Sequence, residues 1–108
     1  MILTTLMAAT FYGRFVTGND VLENCRNLDN GYPSPFCAAY ISGAVDTYSV
    51  VALGSDQPLA FCLAERVNTR QLRDVVVAYL EINPEIRHFS GAVLVHSALV
   101  KGFPCSGK

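Results

Sequence analysis

Four cysteines, at positions 25, 37, 62 and 105, constrain this chain more than any other feature, because they fall at the edges of apolar helical stretches and nowhere form a Cys-x-x-Cys pair. An even number of cysteines in a short chain reads as disulfides in an oxidising compartment; a cytosolic protein more often spends them on metal or redox chemistry. The spacing decides between these. Successive gaps of 12, 25 and 43 positions do not match zinc-ligand spacings. His88 and His96 lie eight residues apart, which on one helix turns them about 80° from each other. The cysteines therefore read as two staples on a small exported domain. At 108 residues the chain buries about two-thirds of its unfolded surface, so covalent support adds to a thin core.

With 51% hydrophobic residues, 16% charged residues and a net charge of -1, the chain is too apolar for disorder and too neutral to be steered onto nucleic acid. Its eight Lys and Arg residues are scattered, without the aromatic interleaving of a stacking platform, so no nucleic-acid partner is expected. No stretch reaches the roughly 18 apolar residues of a bilayer span, so no membrane insertion is expected. Residues 1–15, opening MILTTLMAAT, read as a signal-peptide remnant or an N-terminal segment, and residues 16–108 as a single helical domain.

Local signals place the helices. Thr17 and Asp20 have the spacing of a capping box and start a short helix reaching Arg26. NLDNGYPSP then breaks the pattern with Gly31, Pro33 and Pro35, which predicts a loop. From Pro35, apolar residues at 37, 40, 41, 44, 45, 48 and 51 recur at intervals of three and four, the mark of a long core-facing helix. Within it, Gly43 with Ala39 and Ala44 reads as a small-residue strip for close helix contact, and Asp46 as a solvated carboxylate. A surface loop is expected over 54–60. Asn68 and Gln71 cap a third helix whose buried stripe is Leu72, Val75, Val76, Tyr79 and Leu80. Pro84 opens a fourth helix to Lys101, with Phe89, Ala92, Val93, His96, Leu99 and Val100 on its inner face. The expected fold is all-α: a four- to five-helix bundle of two helical hairpins with two disulfides.

In antiparallel hairpins the end of one helix lies beside the start of the next. That geometry pairs Cys25 with Cys37 and Cys62 with Cys105, although sequence alone allows three connectivities. Loop-closure entropy gives about 3 kcal/mol for the shorter loop and about 4 for the longer, against a typical total stability of roughly 5 to 15.

No residue set reads as catalytic or metal-binding, and the expectation is a non-enzyme without cofactors. Ser90, in HFSGAV, lacks the GxSxG elbow and would not share a helix face with His88. His96 reads as a core histidine with a hydrogen bond, Glu81 and Glu85 as a solvated rim, and cysteines in disulfides leave no thiolate. No glycine-rich loop follows a strand to cradle phosphate.

The ordered set GNDVLENC at 18–25, CAAYISGAVD at 37–46, CLAERVNTRQLRDVVVAYLEINPEIRH at 62–88, AVLVHSAL at 92–99 and the closing Phe-Pro-Cys at 103–105 resembles the Rap/Tai family of periplasmic immunity proteins. Members of that family protect bacteria against peptidoglycan amidases delivered by type VI secretion. The resemblance implies a small helical disulfide protein, a homodimer, that covers the active-site cleft of a cognate DL-endopeptidase amidase and has no activity of its own. The alternative is a non-enzymatic structural or adaptor protein of the envelope with a different protein partner. Partner-binding residues are not assigned; the loop 54–60 and the turn 81–87 are candidates, since loops on rigid scaffolds often carry recognition.

Overall fold

The computed structural model describes residues 15–105; residues 1–14 of the expected leader segment, and residues 106–108, lie outside the described residues. Four helices carry the architecture: α1 (Gly18–Cys25), α2 (Pro35–Ser55), α3 (Thr69–Ile82) and α4 (Gly91–Gly102), with a 3-10 turn at Pro84–Ile86 before α4. Each start has a local chemical cause. Asp20 N–H donates to Thr17 Oγ1 at 3.2 Å while Thr17 N–H donates to Asp20 Oδ2 at 3.0 Å. The Asn68–Gln71 pair repeats this at α3, with both bonds at 2.9 Å. Ser34 Oγ accepts from Cys37 N–H at 3.2 Å ahead of Pro35, the first residue of α2. These side chains satisfy donors that a helix start leaves without intrahelical partners.

All four helices touch one another. Val21, Leu22 and Cys25 of α1 meet Ile41 and Cys37 of α2, Leu72, Val76, Val77 and Leu80 of α3, and Leu94, Val95, Ala98 and Leu99 of α4. Phe61, in the α2–α3 connection, is the largest fully buried side chain.

The all-α expectation is corrected by a small antiparallel sheet in the segment expected to be a loop, which makes the fold mixed α/β. Strands β1 (Leu28–Asp29) and β2 (Tyr32–Pro33) pair in the register Leu28 with Pro33 and Asp29 with Tyr32. Asn30 at φ 54° and Gly31 at φ 83° form the two-residue turn. Positive φ at both positions is what the twist of a tight hairpin demands, and Asn-Gly is its strongest sequence signal. The hairpin sits inside the short loop between Cys25 and Cys37, where the chain must reverse between α1 and α2.

The fourth helix is also shorter than expected. After Pro84–Ile86 the chain opens, and α4 begins only at Gly91, behind Ser90. Tertiary donors cause the break: Gly18 N–H donates to the Phe89 carbonyl at 3.0 Å, Asn19 N–H to the Arg87 carbonyl at 2.8 Å, and Gly91 N–H to the Val16 carbonyl at 2.7 Å. The inner face of the helix also differs from the expected one. Phe89 and Val93, expected inside, are 46% and 49% exposed, while Leu94, Val95 and Ala98 are buried.

At the other end, residues 103–105 run back along the α2–α3 connection. Cys62 N–H donates to the Phe103 carbonyl at 2.8 Å, and Phe61 and Pro104 form an isolated antiparallel bridge.

Candidate functional site

The cysteines form two bridges, Cys25–Cys37 across the α1–α2 turn and Cys62–Cys105 between the α2–α3 connection and the strap after α4. No cysteine is free among the described residues. Cys25 closes α1 and Cys37 lies in the first turn of α2, both fully buried, whereas Cys62 and Cys105 are exposed.

The residues that could have carried chemistry are dispersed or structural. His88 lies exposed with its ring centroid 4.2 Å from that of Phe89, and Ser90 is the cap of α4, its Oγ accepting from Val93 N–H at 3.5 Å. Neither belongs to a helix interior, contrary to the sequence-based expectation. His96 is half-buried, its ring 4.3 Å from Tyr48 and 5.8 Å from Phe61, and Tyr48 Oη donates to the Ala92 carbonyl at 2.8 Å. Glu81 faces Arg26 at 3.7 Å with both side chains about half exposed, and Glu85 is exposed. No group of three His, Cys, Asp or Glu side chains is placed to hold a metal ion among the described residues. One phenol stands apart: burial, then neighbouring Tyr48 and Asp20, hold the Tyr40 hydroxyl above its ordinary pKa.

What the molecule does present is apolar surface on α2. Phe36, Gly43, Thr47, Val50 and Gly54, with half-buried Tyr40 at its inner edge, form an uncharged stripe, spaced alternately by four and three, beside the face that buries Cys37 and Ile41. Beside it, a groove of about 380 Å³ runs past Ala39, Tyr40, Gly43, Ala44 and Thr47 to Ala92 of α4. A Cβ built on Gly43 would meet nothing within 4 Å, so among the described residues the expected tight helix contact there is not made. The helix is also longer and more apolar than the sequence reading allowed: by length and composition alone it could cross a membrane. Core helices pass the same test, and Cys37, Ile41 and the Tyr48 hydrogen bond anchor this one in the bundle.

Past the stripe, Val50 and Leu53 are 70% and 85% exposed, and the connection Asp56–Leu59 leaves an open hollow beside Ser49 and Ala52. The sequence spacing of α2 predicts a core stripe and a small-residue contact strip, and not this exposed one. The second stripe was legible in the same spacing, since an all-round apolar helix must find cover for more than one face.

The model of the Rap1a immunity proteins matches residues 17–105, from the α1 cap to the last cysteine. This chain belongs to the Rap1a immunity protein family. No curated protein and no solved structure matches it. The matched span takes in every described helix, the β-hairpin and both disulfides. For an immunity protein the functional site is a surface that meets a cognate effector, and the family and the two disulfides are consistent with an extracytoplasmic protein.

Proposed function

We propose that this immunity protein acts in the periplasm, where it binds a peptidoglycan amidase of the DL-endopeptidase class delivered by type VI secretion and covers its active-site cleft. The family match over residues 17–105 carries the reading. Two features of the surface support it. The connection 56–60, with exposed Leu53 beside it, leaves the C-terminal end of α2 and is tied down by Leu59, which packs against the core, so it offers exposed contacts on a fixed base. The uncharged α2 stripe suits a second copy of the chain, because a two-fold contact brings the same patch to both sides and is not opposed by like charges. In this reading the protein is a homodimer through α2 and meets the amidase with residues 53–60.

The test is co-expression. A candidate cognate amidase directed to the periplasm is expected to lyse cells when expressed alone; coproduction of the immunity protein is expected to restore growth, and an amidase carrying a catalytic-site mutation to be harmless throughout. Undiminished lysis with the immunity protein present in the periplasm would sink the assignment.

A further inference from the structure

The two disulfides sit in opposite surroundings. Cys25 and Cys37 are both 0% exposed and lie among the core side chains of α1 and α2. Cys62 and Cys105 are exposed, at the edge of an open hollow of about 560 Å³ bounded by Val45, Ser49, Pro58 and Leu59. Exchange requires a thiolate to reach a disulfide sulfur, so access separates the two bonds even where their chemistry is alike.

We propose that Cys62–Cys105 is a reversible thiol-exchange site, open to a dithiol of the kind carried by disulfide oxidoreductases, while Cys25–Cys37 stays closed for as long as the fold is intact. In the reducing direction one thiolate of the dithiol attacks a sulfur of the bridge. The Cys62–Cys105 bond breaks, its electron pair leaves on the other sulfur, and that sulfur takes up a proton. The second thiol of the dithiol, deprotonated, then displaces the attacked cysteine from the mixed disulfide. Two electrons have passed from the dithiol, now a disulfide, to the bridge, now two thiols. In the oxidising direction the same steps run backwards from a partner disulfide.

The backbone keeps the opened site ready to close. Cys62 N–H still donates to the Phe103 carbonyl at 2.8 Å, and the bridge of Phe61 with Pro104 holds the strap in register. The Leu59 carbonyl oxygen lies 3.6 Å from Cys105 Sγ, a distance at which the reduced thiol can donate to it. Opening is thus a local event at one end of the molecule, whereas reaching Cys25–Cys37 requires the α1–α2 packing to come apart.

Folded protein is exposed to graded dithiothreitol, pulse-alkylated, and mapped by peptide mass. Labelling of Cys62 and Cys105 is expected together, at a rate at least roughly tenfold above that of Cys25 and Cys37, with helical circular dichroism retained. Oxidised glutathione is then expected to restore the Cys62–Cys105 bond. Labelling of Cys25 and Cys37 first or at the same rate, labelling of any cysteine only as the ellipticity is lost, or failure of the Cys62–Cys105 bond to re-form would each overturn the proposal. In the double variant Cys62→Ser, Cys105→Ser, the remaining bridge is expected to resist the same reductant; should that variant not fold, the wild-type kinetics still decide.

Discussion

Three glycines do what Gly43 was expected to do: Gly102, where a Cβ would run into Val75 of α3, and two at the starts of α1 and α4. A Cβ on Gly18 would stand 2.9 Å from the Arg87 carbonyl oxygen, and one on Gly91 would stand 2.9 Å from Val21 Cγ2 and 3.0 Å from the Val16 carbonyl oxygen. These positions let the starts of α1 and α4 cross with their backbones in contact. Gly18→Ala is expected to lower unfolding free energy by about 1–3 kcal/mol, since its methyl would press on backbone that cannot rotate away; a urea titration measures it, and an unchanged midpoint would refute the close approach. Tyr40 offers a second test at this scale. Its folded-state pKa is raised, so the native state holds its proton more tightly than the unfolded chain does. The associated stability is complete below the unfolded value of about 10 and is lost as pH rises through the folded one. Urea midpoints are expected to fall on going from neutral to strongly alkaline pH, and to fall less steeply in Tyr40→Phe.

At the scale of elements, α1 depends on α3 for its end. The last turn of α1 has no basic residue of its own, yet Arg73 Nε donates to the Cys25 carbonyl at 2.7 Å and Arg73 Nη2 donates to the Arg26 carbonyl. A guanidinium placed there satisfies helix-end acceptors and lies favourably at the negative end of the helix dipole. Arg73 is also paired with Asp74 at 2.7 Å, so its fork is oriented from both sides. Arg73→Ala is expected to cost about 1–3 kcal/mol, with Arg73→Lys recovering only part, because a single ammonium lacks the planar fork. Thermal denaturation of the two variants reads the difference. The β-hairpin belongs to the same neighbourhood: β2 packs against α3, and the turn at Asn30-Gly31 fits the reversal into the short loop closed by Cys25–Cys37.

At the scale of the whole molecule, the two uses proposed for α2 meet at Gly54 and are tested at residues away from it. Gly43 lies in the middle of the uncharged stripe, so Gly43→Arg is expected to convert a dimer into a monomer in light scattering while leaving circular dichroism unchanged; a mass insensitive to that substitution would remove α2 as the dimer contact. Leu53 lies near the far end, and Leu53→Asp is expected to weaken binding of the amidase by about tenfold to a hundredfold, as loss of a central apolar contact does, without altering the oligomer. Calorimetric titration with the purified enzyme checks it.

Much of this molecule was written locally. The caps at Thr17 and Asn68 are visible in sequence because a helix start needs acceptors within three residues, and the stripe Leu72, Val76, Leu80 because a helix repeats its face within four. The membership in an immunity family was legible in the order of the motifs. The hairpin was local too, in Asn30-Gly31, but its strands are too short to show alternation. What only the tertiary structure decided involves partners distant in the chain. The amides of Gly18 and Asn19 bond to carbonyls of Phe89 and Arg87 where the fourth helix breaks, and the packing of α4 on the other helices turns Leu94, Val95 and Ala98 inward and leaves Val93 outside. Packing, likewise, leaves one face of α2 without cover among the described residues and encloses Cys25–Cys37 while exposing Cys62–Cys105. Periodicity specifies that a face is apolar; which neighbour covers it, and whether any does, depends on where the other helices come to lie.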